Sequence, residues 1–187
     1  MNSPLFRNGA SVSRICRRLL NSNTPYHLCT ERAWDGVHRR RLPVPVVLLE
    51  TSTKVGVLSA VETLNPKIPS TLDAAILSKM TERGQISGGI VDGPLAMDNT
   101  VDLDAAKTKG IKSMVAGLAD ILITPNLEAS NMLAKQLTFV AHAEAGGIVI
   151  GARSRCPVIL TSCADDDRAR LASCAVAALY NVRMQSK

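Results

Sequence analysis

Apolar and polar positions alternate along the chain from Val46 onward in a pattern that predicts strands and helices in turn. Short apolar runs predict strands at Lys54–Ser59, Gly88–Val91, Asp120–Thr124, Gly147–Gly151 and Pro157–Thr161. Longer stretches with helical spacing predict helices that begin near Ser70, Asp102, Ala129 and Asp167. Such alternation predicts an α/β fold with a mainly parallel sheet and right-handed crossovers.

The first predicted helix carries two expectations of its own. We expect Ser70 or Thr71 to cap its N-terminus, because a hydroxyl can accept a hydrogen bond from a free backbone N–H there. The helical spacing then predicts a buried face, formed by Leu72, Ala75, Ile76 and Met80.

Polar residues follow two of the predicted strands directly. Asp92–Asn99 comes after one apolar run, and Pro125–Lys135 comes after another about thirty residues later. The carboxyl ends of parallel strands meet at one edge of a sheet, where ligands of α/β proteins bind. The second block also joins a strand end to a helix N-terminus, which favours an anion. The sequence therefore predicts a ligand site at this edge.

Composition limits the classes of function. The 187 residues are 46% hydrophobic but only 3% aromatic, so the core must consist of aliphatic side chains. Few aromatic residues also argue against the stacking surfaces that bind single-stranded nucleic acid. No apolar run approaches the eighteen or so residues that a membrane span needs. We therefore expect neither nucleic acid nor a membrane as a partner.

The net charge of +6 comes from the N-terminal part of the chain. Residues 1–45 hold eight Arg against Glu31 and Asp35, whereas residues 46–187 are balanced. We expect residues 1–45 to be a poorly ordered, Arg-rich leader that precedes a domain at residues 46–187. A mitochondrial transit peptide within residues 1–30 is one alternative, because basic, acid-poor segments serve that purpose. A fragmented or misread coding region is another.

The five cysteines lack the CxxC spacing of a zinc site, and their odd number argues against a disulfide framework. We expect reduced thiols and a cytoplasmic protein without a bound metal. A catalytic cysteine needs an activating base. Of the three histidines, His27 and His38 lie in the leader and His142 lies in a helical pattern, so they favour no Cys/His pair.

The polar blocks resemble those of the phosphate acetyltransferase/phosphate butyryltransferase family when they are taken together with other segments. The segments that carry the resemblance are Val57–Glu62, Asp92–Asn99, Val115–Asp120, Asn126–Lys135 and Ile159–Ser162. The resemblance implies a three-layer α/β/α sandwich like that of isocitrate and isopropylmalate dehydrogenases. It covers the C-terminal portion of the family, so we expect residues 46–187 to hold part of that fold.

The same resemblance implies a reaction and a set of residues. Family members move an acyl group between coenzyme A and phosphate, without a metal or prosthetic group. By this resemblance Ser162 is the catalytic serine that ends a strand. The substrate-binding positions are Thr161, Asn131, Lys135 and Asp165. Two of these residues also allow a purely structural interpretation, since Asp165 can complement a helix dipole and Lys135 can be a solvated side chain.

Three positions depart from the family's pattern. Cys163 stands where the resemblance implies an arginine, and a thiol cannot supply that residue's permanent, bidentate charge. Asn126 replaces an aspartate and Ser130 replaces a glycine. An organelle-targeted binding protein rests only on the leader, and two functions follow from the family resemblance. One is a phosphate acyltransferase, acting on acyl-CoA and phosphate, that forms a homodimer; the other is a non-catalytic coenzyme A-binding or assembly remnant of that family.

Overall fold

The computed structural model describes residues 27–29, 53–86, 88–149 and 157–185. The strands are β1 (His27–Cys29), β2 (Thr53–Leu58), β3 (Gly89–Leu95) and β4 (Ile121–Ile123). The helices are α1 (Pro69–Glu82), α2 (Met97–Val101), α3 (Leu103–Thr108), α4 (Leu127–Lys135) and α5 (Asp167–Gln185). A π-helical turn, Gln136–Val140, follows α4.

The strands form one parallel sheet in the order β1-β4-β2-β3. The central strand β2 pairs with β4 from Val55 to Val57 and with β3 along its length, while β1 closes the sheet beside β4. Antiparallel pairing between β3 and β4 is therefore absent, and the two strands do not touch. The predicted parallel α/β fold is confirmed.

Two separate clusters of aliphatic side chains cover the faces of this sheet. On one face, alternate residues of β2 and β4 pack under α1, and the cluster consists of Val55, Val57, Ala74, Leu77, Ile86, Val91, Ile121 and Ile123. The other cluster lies under α2, α3 and the loop before β4, and it consists of Leu58, Leu95, Val101, Ala106, Val115, Ala116, Ala119 and Leu122. Alternation along the strands thus produces three layers, as the sequence predicted.

Strand β3 extends further than its apolar run. It runs through Asp92, Gly93 and Pro94, the first residues of the polar block that was predicted to follow the strand. The register between β2 and β3 shifts along this stretch, where Gly56 pairs with Asp92 but Leu58 pairs with Leu95. A Cβ atom on Gly93 would lie 2.8 Å from the carbonyl oxygen of Val57. The glycine therefore permits close approach of the two strands. The predicted strand end at Val91 was wrong, because β3 continues to Leu95.

The start and the buried face of α1 also differ from the prediction. Ile68 precedes the helix without a side-chain cap, and Pro69 opens it, which suits a position that has no intrahelical N–H bond to make. The buried residues are Thr71, Ala74 and Leu77. Leu72 and Ile76 are exposed, whereas Met80 packs against the core cluster as predicted. The buried face therefore overlaps the predicted one only in part.

The predicted strands in the last third of the chain are wrong where the structure describes them. Val149 and Val158 form one isolated antiparallel bridge, and neither joins the parallel sheet. Val158, Ile159 and Leu160 are exposed, Leu160 to 77%. A short apolar run is compatible with several conformations, and here no sheet edge among the described residues lies beside it.

The predicted leader contains one described element. His27–Cys29 is the edge strand β1, paired with Ile121–Ile123 of β4. The other residues of the leader lie outside the described ranges, so the expected boundary near residue 45 stays a prediction. The described helices include no candidate for a membrane span.

Candidate functional site

The predicted catalytic serine lies in a tight polar turn before α5. The backbone N–H of Ser162 donates to Asp165 Oδ2 at 2.7 Å, and the N–H of Asp165 donates to the Ser162 carbonyl at 3.1 Å. The N–H of Ala164 donates to Ser162 Oγ at 3.3 Å. These bonds fix the hydroxyl group relative to the backbone, because both the turn and the side chain are held.

Lys135 reaches this serine from the end of α4. Its Nζ atom donates to Ser162 Oγ at 3.2 Å, and it lies 5.2 Å from the centre of the Phe139 ring. Ser162 Oγ thus accepts from two donors, Lys135 and Ala164. Among the described residues no acceptor contacts its own O–H group. The hydroxyl proton and the ammonium group therefore offer donors at one place.

The remaining predicted site residues are placed less closely. Thr161 precedes Ser162 in the chain and is half-buried, with no hydrogen bond among the described residues that ties it to the turn. Asn131 is exposed one helical turn before Lys135, and it shares that face of α4. The structure therefore brings together Lys135, Ser162 and Asp165 by direct contacts, and places the other two as their neighbours.

The N-terminus of α4 is occupied by its own cap. Asn126 Oδ1 accepts from the N–H of Ala129 at 2.8 Å, and Glu128 adds a negative charge to the first turn. Ser130 is buried rather than open to a ligand. Because Lys135 ends the same helix, the lysine and not the helix N-terminus faces the serine. An anion site at the helix start, which the sequence favoured, has no support here.

Cys163 and Cys174 are free thiols, and both are exposed. Cys163 follows Ser162 directly but supplies no charge at the turn. The nearest cationic group to the serine hydroxyl, among the residues that the structure describes, comes from Lys135 on α4. No described set of three or more His, Cys, Asp or Glu side chains could hold a metal ion.

A second polar cluster, which the sequence did not predict, lies where the loops after β2 and β3 meet. Lys109 Nζ lies 3.2 Å from Glu62 Oε2 and 2.9 Å from Asp98 Oδ2. One lysine at the end of α3 therefore bridges two carboxylates, Glu62 in the loop after β2 and Asp98 in the first turn of α2. No signal in the sequence identifies this contact, because Lys109 is 47 residues from Glu62.

Asn99 anchors that cluster from inside. Its side chain is fully buried, and Nδ2 donates to Glu62 Oε2 at 3.4 Å. The backbone carbonyl oxygen of Asn99 accepts from the N–H of Gly117 at 2.8 Å. Gly117 has a positive φ of 73° and lies against Leu103, where a Cβ atom would approach Leu103 Cα to 2.5 Å. No partner contacts Asn99 Oδ1 within the described part of the chain.

The pKa values follow this geometry. Partial burial acts to raise the pKa of the Asp98 carboxyl, but the hydrogen bond and charge of Lys109 outweigh it, helped by the backbone N–H of Asn99, so the pKa is lowered. The hydrogen bond to Asp98 is the largest cause that raises the pKa of Lys109, and Glu62 adds to it. Each group therefore favours the charged form of the other.

Comparison with known proteins gives a consistent family. Residues 46–178 match the family described as phosphate acetyl/butaryl transferase. A phosphate acetyltransferase of Rhizobium meliloti is 62% identical over 133 residues, which cover 71% of this chain and 42% of that protein. A phosphate butyryltransferase of Clostridium acetobutylicum is 51% identical over 126 residues, which cover 67% of this chain and 41% of that protein.

A solved structure supports the same relationship. The crystal structure of a branched-chain phosphotransacylase from Enterococcus faecalis superposes with a TM-score of 0.65 at 30% identity. The superposition covers 80% of this chain and 50% of that one. The chain thus spans less than half the length of the curated relatives named above. The resemblance noted in the sequence is confirmed.

Proposed function

The chain belongs to the phosphate acetyl/butyryl transferase family, and we propose on that premise that it takes part in moving an acetyl or butyryl group between coenzyme A and phosphate. The observation that supports this most directly is the contact of Lys135 Nζ with Ser162 Oγ. A hydroxyl group and an ammonium group placed together offer hydrogen-bond donors to an oxyanion.

In this proposal the thiol of coenzyme A attacks the acyl carbon of an acyl phosphate. A C–S bond forms, the C–O bond to phosphate breaks, and phosphate leaves with the electron pair. Ser162 donates its O–H to the oxygen that gains negative charge. The thiol proton passes to a carboxylate, and Asp165 is the carboxylate that contacts the serine.

The other predicted residues have supporting roles in the proposal. Asn131 shares the exposed face of α4 with Lys135, so its amide offers a neutral donor and acceptor to the substrate. Thr161 precedes Ser162 and offers a second hydroxyl to the substrate in this proposal. Coenzyme A acts as a substrate, and the reaction needs no further cofactor.

A second candidate function is a non-catalytic coenzyme A-binding or assembly remnant. The exposed Cys163 favours it, because the family resemblance implies an arginine at that position and a thiol carries no permanent positive charge. The two candidates differ in one measurable respect. A working transferase turns over, whereas a remnant binds coenzyme A without reaction.

The test is acyl transfer from acetyl phosphate or butyryl phosphate to coenzyme A. The assay measures the thioester that this transfer forms. We expect turnover that Ser162→Ala lowers by a factor of about 10² or more, since removal of one oxyanion donor lowers kcat by about that factor. Thr108→Ala is the matched control, because its exposed hydroxyl at the end of α3 bonds to the backbone carbonyl of Asp104 and not to a residue of the site. Saturable coenzyme A binding without turnover would support the remnant instead.

We further propose a cytoplasmic homodimer. The family relationship supports the cytoplasmic location. Exposed apolar side chains on α5, namely Leu171, Leu179 and Val182, support association with another polypeptide surface. Sedimentation of the purified chain measures its oligomeric state directly.

A further inference from the structure

Lys135 differs from the other interacting lysines in the charge of its partners. Lys109 contacts two carboxylates, and Lys79 and Lys107 each pair with a carboxylate three residues away. Lys135 contacts a neutral hydroxyl and the face of an aromatic ring. No carboxylate in the described part of the chain forms an ion pair with it. Its positive charge is therefore held in place without being neutralised.

The contacts of Lys135 also direct the charge. The ring of Phe139, one turn further along, attracts the ammonium group by a cation–π interaction. The Ser162 hydroxyl accepts one of its protons, which leaves other N–H donors of the same group available. Because Ser162 Oγ also accepts from the backbone of Ala164, its own proton is left to donate. Two donors thus converge on one region.

A tetrahedral oxyanion fits this pair of donors. Phosphate and the phosphoryl end of an acyl phosphate present several acceptor oxygens and a negative charge, and lysine binds such groups as a point charge. The negatively charged group beside these donors is Asp165, whose Oδ2 accepts a hydrogen bond from the backbone N–H of Ser162 at 2.7 Å. That carboxylate is engaged with the backbone of the turn, while the lysine approaches the side chain.

We propose that Lys135 holds the phosphoryl group at Ser162, and that it supplies from α4 the positive charge that position 163 lacks. The inference rests on the proposed function and makes it more specific. It assigns the phosphate end of the substrate, and not coenzyme A, to Lys135. Since one lysine is a single point charge, this binding is weaker and more sensitive to salt than a bidentate arginine site.

Calorimetric titration of the purified full chain with inorganic phosphate tests the assignment. We expect Lys135→Met to weaken phosphate binding at least about tenfold, because a charge-assisted hydrogen bond is lost. Lys135→Arg retains binding. Lys112→Met is the matched control, since Lys112 is an exposed lysine outside the turn and its replacement removes the same single charge. We expect this control to change phosphate affinity less than about twofold.

Coenzyme A titration of the same variants separates this inference from the proposed function. Lys135→Met is expected to leave coenzyme A affinity and the melting temperature unchanged, because Lys135 is exposed. Equal phosphate affinity in wild type and Lys135→Met, or no phosphate binding in wild type, overturns the inference. Lys135-dependent phosphate binding without acyl transfer supports it while the proposed function fails. If the protein turns over but Lys135→Met does not change the KM for phosphate, the proposed function stands and the inference about Lys135 is overturned.

Discussion

Two lysines in this chain occupy contrasting surroundings. Lys109 bridges Glu62 and Asp98 over a buried asparagine, so its charge is neutralised where it stands. Lys135 contacts Ser162 and Phe139 and has no anionic partner among the described residues. The first arrangement ties loops of the sheet together, whereas the second presents a charge to an incoming group. The identity of the partners, and not the residue type, separates a structural lysine from a binding one.

The burial around each lysine follows the same division. The Lys109 cluster covers one hydrophobic core, and Asn99 within it is fully buried. The Lys135 cluster lies among exposed side chains, where the last helix packs through few residues such as Ser173 and Ala177. Changes at the first cluster should therefore affect mainly stability. Changes at the second should affect mainly ligand binding.

Cys163→Arg should produce the largest effect and sharpen the contrast. A second cation beside Ser162 should strengthen phosphate binding by roughly 1.5–3 kcal/mol, if the new charge-assisted hydrogen bonds are partly desolvated. Calorimetric titration with phosphate or acetyl phosphate measures the gain. Ser162→Ala in the same background should reverse part of it.

Cys174→Arg is the matched control for that prediction. Cys174 is also an exposed free thiol, but it lies within α5 away from the turn. The control adds the same charge to the protein without placing it at Ser162. An equal gain from both variants would show that net charge, and not the geometry of the turn, governs phosphate binding.

Asn99→Ala should produce the next largest effect, this time on stability. The variant loses the hydrogen bond from Nδ2 to the Glu62 carboxylate and leaves a small cavity. It also removes the carbonyl oxygen that has no partner in the described structure, which offsets part of the cost. We expect a loss of about 1–2 kcal/mol in the free energy of unfolding, measured with urea.

Asn131→Ala provides the comparison for stability, because it removes an exposed amide on α4. Its free energy of unfolding should stay within about 0.5 kcal/mol of the wild type. Similar losses for the two asparagines would mean that the Lys109 region is no more structural than the Lys135 region.

The sequence predicted the parts of the fold whose pattern is local. The apolar runs at Lys54–Ser59 and Asp120–Thr124 became β2 and β4 within one residue or so at each end. A helix was predicted to begin near Asp102, and Asp102 Oδ1 accepts from the N–H groups of Asp104 and Ala105 in the first turn of α3. Such features depend on a few neighbouring residues, so a single sequence contains them.

Features that depend on distant partners were not predicted. The apolar run at Pro157–Thr161 has the composition of a strand, but strand formation requires a neighbouring strand, and the sequence does not specify one. The prediction of the packed face of α1 was wrong at Leu72 and Ile76 for the same reason, since contact with the sheet determines which face of the helix is buried. At the candidate site the resemblance indicated Ser162 and Lys135 separately. Their direct contact across 27 residues is a tertiary result.

The smallest expected effect is the pH dependence of stability at Lys109. The pKa of Asp98 is lowered in the folded protein, so its stabilising contribution is present above its unfolded pKa, near 3.9, and is lost as the pH falls through the folded value. The pKa of Lys109 is raised, so its contribution is present below its unfolded pKa, near 10.4, and is lost as the pH rises through the folded value.

Thermal melts of wild type and Lys109→Met between acid and alkaline pH check this prediction. The variant should melt below the wild type across the neutral range, and the difference should shrink at both ends, in acid as Asp98 is protonated and in alkali as Lys109 is deprotonated. Salt should reduce it as well, because the pairs are partly exposed. A difference for Lys109→Met that stays constant from acid to alkali would show that its methylene chain, and not its charge, stabilises the loops.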